Sequence, residues 1–328
     1  MTKKYFGTDG IRGVAYEYPM EPNFLKKLSC AIFESSKIQL RKILIGRDTR
    51  VSGTMIEESI VKTFINLGVD CTIIGIVSTP ILSFYTKNNY FDLGIMITAS
   101  HNPYYDNGIK IFDSDGEKLS DKKELLIEKS IEKKSDLKKN KVGKIVKEKI
   151  CLDKYLSFLS GNLPRKINLK KIKVFLDCAN GSISHIAPIF FKKLGANIVT
   201  SSCKPDGKNI NKNCGATFPK ILSKLTKKNK ADIGLSFDGD ADRVMISDEN
   251  GEILDGDDIL LIISNYLYSN NQLDKNCIVS TQMSNLGFRN YLKKKGIDLY
   301  LTKVGDRYVK EKMKKVGAVI GGEQSGHI

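Results

Sequence analysis

Apolar positions along this chain follow two alternating patterns. Between residues 52 and 67 they recur at Met55, Ile56, Ile60 and Phe64, the three-and-four spacing of a helix with one buried face. Residues 42–46 and 71–76, on either side, are short apolar runs that read as buried strands. A short helix after Pro80 and a strand at 93–98 follow. The alternation restarts near residue 172, with strands at 172–177, 197–200 and 232–237, a helix ending at Leu194 and another at 219–228. It restarts again at 257, with helices at 257–268, 284–295 and 307–315 and strands at 277–280, 298–302 and 318–321. Alternating strand and helix predicts an α/β protein. We read three similar α/β modules in tandem around a central cleft, at 1–150, 151–255 and 256–328, the third incomplete.

Residues 118–149 interrupt the pattern. They are dense in Lys and Glu, and Asp121 and Glu124 are spaced as a capping pair, which predicts a surface helix followed by a linker. The formal charge of the 328-residue chain is +16, which raises the question of nucleic acid. Only eight of the 53 basic residues are Arg, whereas base-reading surfaces lean on the Arg fork. The lysines come as doublets on the polar sides of helical patterns. This reads as a solvated surface with a weak attraction for anionic substrates, and no nucleic-acid partner is expected. The seven cysteines include no Cys-x-x-Cys pair, so free thiols in a reducing compartment are expected. No apolar run is long enough to span a bilayer, and the polar N-terminus lacks a signal-peptide core. The expected location is the cytoplasm, with no membrane partner. Oligomeric state is not legible.

Three loops carry the chemistry, each after a strand, where ligands of open α/β sheets collect. The first is Thr98-Ala99-Ser100-His101-Asn102-Pro103. Ser100 leaves a buried strand for a turn fixed by Asn102-Pro103. A helix cap is one reading. A hydrolase triad fits less well: there is no Gly-x-Ser-x-Gly elbow, and His101 is poorly placed as base to its own neighbour. A serine that accepts and returns a phosphoryl group needs positioning and a metal more than a triad. The second loop is Asp238-Gly239-Asp240-Ala241-Asp242-Arg243. Carboxylates at alternate positions can converge on one hard cation. An EF-hand is disfavoured, because Arg243 stands where that loop needs Gly and the flanks read as strands. A Mg²⁺ site presenting Arg243 to a phosphate is expected. The third loop, Gly321-Gly322-Glu323-Gln324-Ser325-Gly326-His327, offers close backbone approach. Glu323 and Ser325 could accept from sugar hydroxyls, and His327 has acid–base capacity near neutral pH. Alone it also reads as a plain glycine turn.

Together these loops resemble the α-D-phosphohexomutases. The opening Tyr5-Phe6-Gly7-Thr8-Asp9-Gly10-Ile11-Arg12-Gly13 is similar to that family's N-terminus. Residues 98–103, followed by Asp106-Asn107-Gly108-Ile109-Lys110, are similar to its phosphoserine loop. Residues 238–243 are similar to its metal loop, with Ala241 where Gly is more usual, and residues 323–327 to its sugar-recognition loop. The resemblance implies an isomerase that moves a phosphoryl group between hexose positions through a sugar bisphosphate, specifically between glucosamine 6-phosphate and glucosamine 1-phosphate. Other hexose phosphates, or a non-catalytic remnant that binds metal, are the alternatives. It implies Ser100 as phosphoryl carrier and, through its phosphate, ligand to one Mg²⁺ with Asp238, Asp240 and Asp242. It further implies Arg12, His101, Lys110, Arg243 and His327 as catalytic residues, with Glu323, Ser325 and Arg307 binding substrate. Lys110 is a proton acceptor if its neighbours lower its proton affinity. A fourth domain with an Arg-x-Ser-Gly-Thr-Glu-Pro-like loop is expected from the resemblance and is not in the sequence. The chain as written is therefore expected to bind metal but to turn over sugar phosphate negligibly.

Overall fold

The computed structural model describes residues 3–36, 40–133, 142–164 and 167–328. In chain order the first module contains β1 (Ile11–Val14), α1 (Pro22–Ser35), β2 (Lys42–Arg47), α2 (Gly53–Asn66) and β3 (Asp70–Ile76). It continues with α3 (Thr79–Asn88), β4 (Leu93–Ile97), β5 (Asp106–Asp113), α4 (Asp121–Ile131) and β6 (Ile145–Lys147). The strands form one mixed sheet in the order β1-β5-β4-β2-β3-β6. Strands β2 and β4 pair in parallel at its centre. Both faces of them are covered, which is why they read as unbroken apolar runs. On one face α1, α2 and α4 pack Phe24, Leu28, Ile56, Phe64 and Ile127 against the sheet. The other face is covered by α3 through Ile81 and Leu82.

The charged stretch after residue 118 is more structured than a surface helix and linker. Ser120 caps α4 by accepting from the Lys123 N–H. A serine at the N-cap satisfies that donor directly, so the expected Asp121–Glu124 cap is not made. Both acids lie in the first turn and bind cations from elsewhere. Ile127 and Ile131 are buried against α1. Residues 134–141 lie outside the described residues, and β6 beyond them pairs in parallel with β3.

The second module begins with α5 (Leu152–Gly161), whose Tyr155 and Leu156 reach into the core under α3. It continues through β7 (Lys173–Asp177), α6 (Ile186–Lys193), β8 (Asn197–Ser201), α7 (Pro219–Lys228), β9 (Ile233–Phe237), β10 (Val244–Asp248) and β11 (Ile253–Leu254). Its sheet order is β11-β10-β9-β7-β8. Strands β9 and β10 form an antiparallel hairpin, and the acidic loop is its turn. The third module has α8 (Gly256–Ser269), β12 (Cys277–Thr281), α9 (Leu286–Lys294), β13 (Asp298–Thr302) and α10 (Asp306–Val316). Asp255 and Asp258 form a reciprocal cap on α8. Strands β12 and β13 pair in parallel. The strand expected at 318–321 reduces to one isolated bridge between Gly321 and Val279. A left-handed Gly317 ends α10, and consecutive glycines at 321–322 leave little side chain to hold a strand. All seven cysteines are free. Among the described residues, no helix is long and apolar enough to cross a membrane.

Candidate active site

The loop after β4 and the turn between β9 and β10 meet face to face. Ser100 is fully buried, and its Oγ donates to Asp238 Oδ2 at 2.6 Å. Its backbone is left-handed, with φ 52°, a conformation costly to a residue with a Cβ and found at functional turns. Gly239 makes the close approach possible: a Cβ there would lie 2.7 Å from the Ser100 carbonyl oxygen. Ala241 sits at φ 54°, which explains why glycine would be the easier residue at that position. His101 Nδ1 is 3.3 Å from Ser100 Oγ, so adjacency in the chain does not keep the ring from the hydroxyl. Burial, then Arg243 and Arg12, push His101 down to about 4, and the ring is neutral at physiological pH.

Oxygens of Asp238, Asp240 and Asp242 lie within 4.8 Å of one another. Burial, Asp242 and Asp240 push the Asp238 carboxyl up to about 8, as expected where like charges crowd together. Asp240 Oδ1 is buried without a hydrogen-bond partner. A converging set of hard oxygens with an unsatisfied buried acceptor fits a divalent cation. Lys110 supplies part of that positive charge. It is fully buried, with Nζ 2.7 Å from both Asp240 and Asp242 and 2.9 Å from Asp9. Burial lowers its proton affinity, but Asp240, Asp242 and Asp9 outweigh burial and raise it well above the ordinary lysine range. In this arrangement Lys110 is a counter-ion to the three carboxylates.

Arg12 donates to Asp9 at 2.6 Å and to Asn102 Oδ1 at 3.1 Å. Arg243 lies 4.0 Å from Asp238, and its Nε is buried without a hydrogen-bond partner. A cleft of about 960 Å³ opens here, lined by Lys118, Asp242, Arg243, Asp306 and His327 among others. His327 comes from the third module. Its Nε2 faces Asp242 Oδ1 at 3.1 Å, off the line of a good hydrogen bond, and its Nδ1 is 3.1 Å from Glu323. Glu323 also accepts from the Gly305 N–H, and Ser325 Oγ is 3.4 Å from His327 Nδ1. Glu323 is thus tied both to its own loop and to the start of α10, and Ser325 faces His327 within the loop.

Burial lowers the proton affinity of His327, but Asp242 and Glu323 outweigh it and raise its pKa to about 10. A group raised on folding stabilises fully below its unfolded pKa of about 6.5 and loses that contribution as pH rises through the folded value. With chelator present, the urea-unfolding free energy is expected to fall between about pH 7 and pH 10, and to fall less in His327→Gln. Equal slopes for the two proteins would show that the ion pairs add nothing.

Arg307 lines the same cleft and is also held in a clamp of ion pairs. It is 5% exposed and clamps α10 to α4, pairing with Asp121 at 2.5 Å and Glu124 at 2.8 Å and donating to the Leu119 carbonyl. Lys3 also pairs with Asp121 at 2.7 Å and with Glu124 at 2.6 Å, so loss of the guanidinium leaves the acids only partly compensated. Arg307→Ala is expected to lower unfolding free energy by about 2 kcal/mol, read from urea denaturation. No change in the transition midpoint would show that the clamp carries no stability.

Sequence reasoning passed over Asp9 and Lys118. Asp9 holds Arg12, Lys110 and Lys118 at once, and Lys118 also reaches Asp306 at 2.8 Å. Asp9 lies inside the opening motif, so its neighbourhood was the available signal. Lys118 stands in a lysine-rich stretch that offers none.

Three matches with family models account for most of the chain. They are phosphoglucomutase/phosphomannomutase alpha/beta/alpha domain I at residues 3–138, domain II at 153–251 and domain III at 255–328. The chain belongs to this family of phosphohexomutases, and its fold is theirs. Among its curated relatives, phosphoglucosamine mutase of Thermodesulfovibrio yellowstonii is 45% identical over 99% of this chain and 74% of that protein. Phosphoglucosamine mutase of Pseudoalteromonas translucida is 43% identical over 99% of this chain and 73% of that protein. A solved phosphoglucomutase/phosphomannomutase family protein from Burkholderia thailandensis superimposes with a TM-score of 0.84 at 25% identity, covering 97% of this chain and 70% of that one.

Proposed function

We propose that the chain carries the chemistry of a phosphoglucosamine mutase, interconverting glucosamine 6-phosphate and glucosamine 1-phosphate through Ser100. The observation that carries this reading is the Ser100 hydroxyl, 2.6 Å from Asp238 within the acidic cluster, in a chain 43–45% identical to phosphoglucosamine mutases. Positions 1 and 6 of a hexose are too far apart for direct transfer, so the protein holds the phosphoryl group between two steps. A sugar hydroxyl attacks phosphoserine 100: the new O–P bond forms, the Oγ–P bond breaks, and the hydroxyl proton passes in net to Oγ. After the bisphosphate turns over in the cleft, Ser100 Oγ attacks its other phosphate and the proton returns to the sugar oxygen.

Asp238, Asp240 and Asp242, with an oxygen of phosphoserine 100, are the residues that would hold Mg²⁺, which when bound supplies neutralising charge beside the transferring phosphate. Three carboxylates and a phosphoserine bring about −5, so the protein's own cations are also needed. Arg243 and Arg12 offer forks that bind phosphate bidentately. Lys110 offsets the carboxylates, and His327 is the protonated group facing the cleft. The cytoplasm is the proposed location. The test compares single-turnover phosphoryl uptake by Ser100 from the 1,6-bisphosphates of glucosamine, glucose and mannose. The glucosamine bisphosphate is expected to react fastest. A preference for the glucose or mannose bisphosphate would overturn the assigned sugar while leaving the chemistry intact.

A further inference from the structure

Ser100 makes no more than one contact to the acidic cluster through its hydroxyl, yet it is held in a left-handed backbone conformation. What holds it is a buried arginine that the acid–base account does not use. Arg50 follows β2 and is 0% exposed. Its Nη2 donates to the carbonyls of Ser100 at 3.0 Å and Asn102 at 2.8 Å. Its Nη1 donates to the carbonyls of Asp106, at 2.9 Å, and Pro103. Four carbonyls of one loop thus converge on a single guanidinium. The same side chain reaches the other end of the Ser100 peptide unit. Arg50 Nε donates to Asp48 Oδ2 at 2.9 Å, Thr98 Oγ1 donates to that oxygen at 2.6 Å, and Thr98 Oγ1 accepts from the Ser100 N–H at 2.9 Å. The second module adds a matching grip: Asn211 Nδ2 donates to the Ser100 carbonyl at 2.8 Å and the Asn102 carbonyl at 3.1 Å.

Resting on the reading of Ser100 as phosphoryl carrier, we propose that Arg50, through Asp48 and Thr98, and Asn211 are the positioning residues that aim its hydroxyl at the acidic cluster. The planar fork suits this role: five donors in fixed directions can satisfy several carbonyls at once, which a lysine cannot. Arg50 is neutralised by Asp48, so its part is to orient rather than to supply charge. Asn211 lies across the seam between the modules, and its grip makes the aim of the serine depend on that seam being closed.

The test measures phosphoryl uptake by Ser100 from glucosamine 1,6-bisphosphate in single turnovers, in wild type, Arg50→Lys and Asn211→Gly. Glycine is chosen because Asn211 has φ 56°, a conformation glycine adopts freely, so the side chain is lost without backbone strain. An aim displaced by about 1 Å costs on the order of 10²-fold in rate. We expect about that loss for Arg50→Lys and about 10-fold for Asn211→Gly, with half-saturating bisphosphate unchanged and the circular dichroism of Asn211→Gly that of wild type. Should Arg50→Lys fail to fold, Asn211→Gly decides alone. Wild-type uptake rates in Asn211→Gly, or a loss that appears only as weaker bisphosphate binding, would overturn the positioning role while Ser100 remains the carrier. Absence of label on wild-type Ser100 would take down the carrier reading and this one together.

Discussion

Ser100→Ala is expected to take up no phosphoryl group from a hexose bisphosphate under conditions where the wild-type chain takes up one. The variant keeps the loop: Arg50 and Asn211 bind backbone carbonyls, not the hydroxyl. What disappears is the hydroxyl oxygen that adjoins the carboxylates and is not tied to the backbone. Serine and alanine differ by that atom alone, so stability should change little, except for one hydrogen bond to Asp238 worth about 1 kcal/mol. Intact-mass measurement after incubation with bisphosphate reads the outcome. Equal label on both proteins would assign the carrier elsewhere and remove the basis of the proposed function.

The parts of this site legible in the sequence share one property. Ser100 and the three aspartates lie at the ends of strands whose apolar runs are unmistakable, and the turns that hold them are built from residue types suited to metal and phosphate. Arg50 lies at an equivalent place, directly after β2, and the rule that ligands gather at strand ends pointed to it equally well. No neighbouring motif marked it, because its partners are carbonyls, and a carbonyl leaves no trace in residue type. Lys110 shows the complementary limit. Whether a buried lysine gains or loses a proton depends on which charges surround it. Here they come from Asp9, near the start of the chain, and from Asp240 and Asp242 in the second module. Arg307 shows the same limit: it lines the cleft, and the acids that hold it, Asp121 and Glu124 of α4, lie far from it in sequence. The strand at 318–321 failed on a local cause, glycines read as part of an apolar run.

Asp240→Asn is expected to remove the stabilisation that Mg²⁺ confers and to lower the rate on the order of 10²-fold or more. Asp240 is fully buried; its Oδ2 accepts from Lys110 and Thr79, while Oδ1 has no protein partner. That asymmetry fits a residue with one oxygen committed to the fold and one left for a cation. Asparagine preserves the shape and can keep one acceptor, but it removes the negative charge. Without metal, the loss of a charge crowded by Asp238 and Asp242 offsets part of what Lys110 loses, so the unliganded variant should melt near wild type. With metal the two proteins should part. A cation at a hundred times its dissociation constant stabilises the folded state by about 2.7 kcal/mol, and this increment should be present in wild type and absent in the variant. Melting curves at increasing Mg²⁺ therefore separate a metal ligand from a turn residue independently of catalysis. If both proteins gain equally from Mg²⁺, the cation binds elsewhere. If neither gains, the cluster is a turn whose charge Lys110, Arg243 and His327 neutralise, and the rate lost in the variant would have to come from a displaced Lys110.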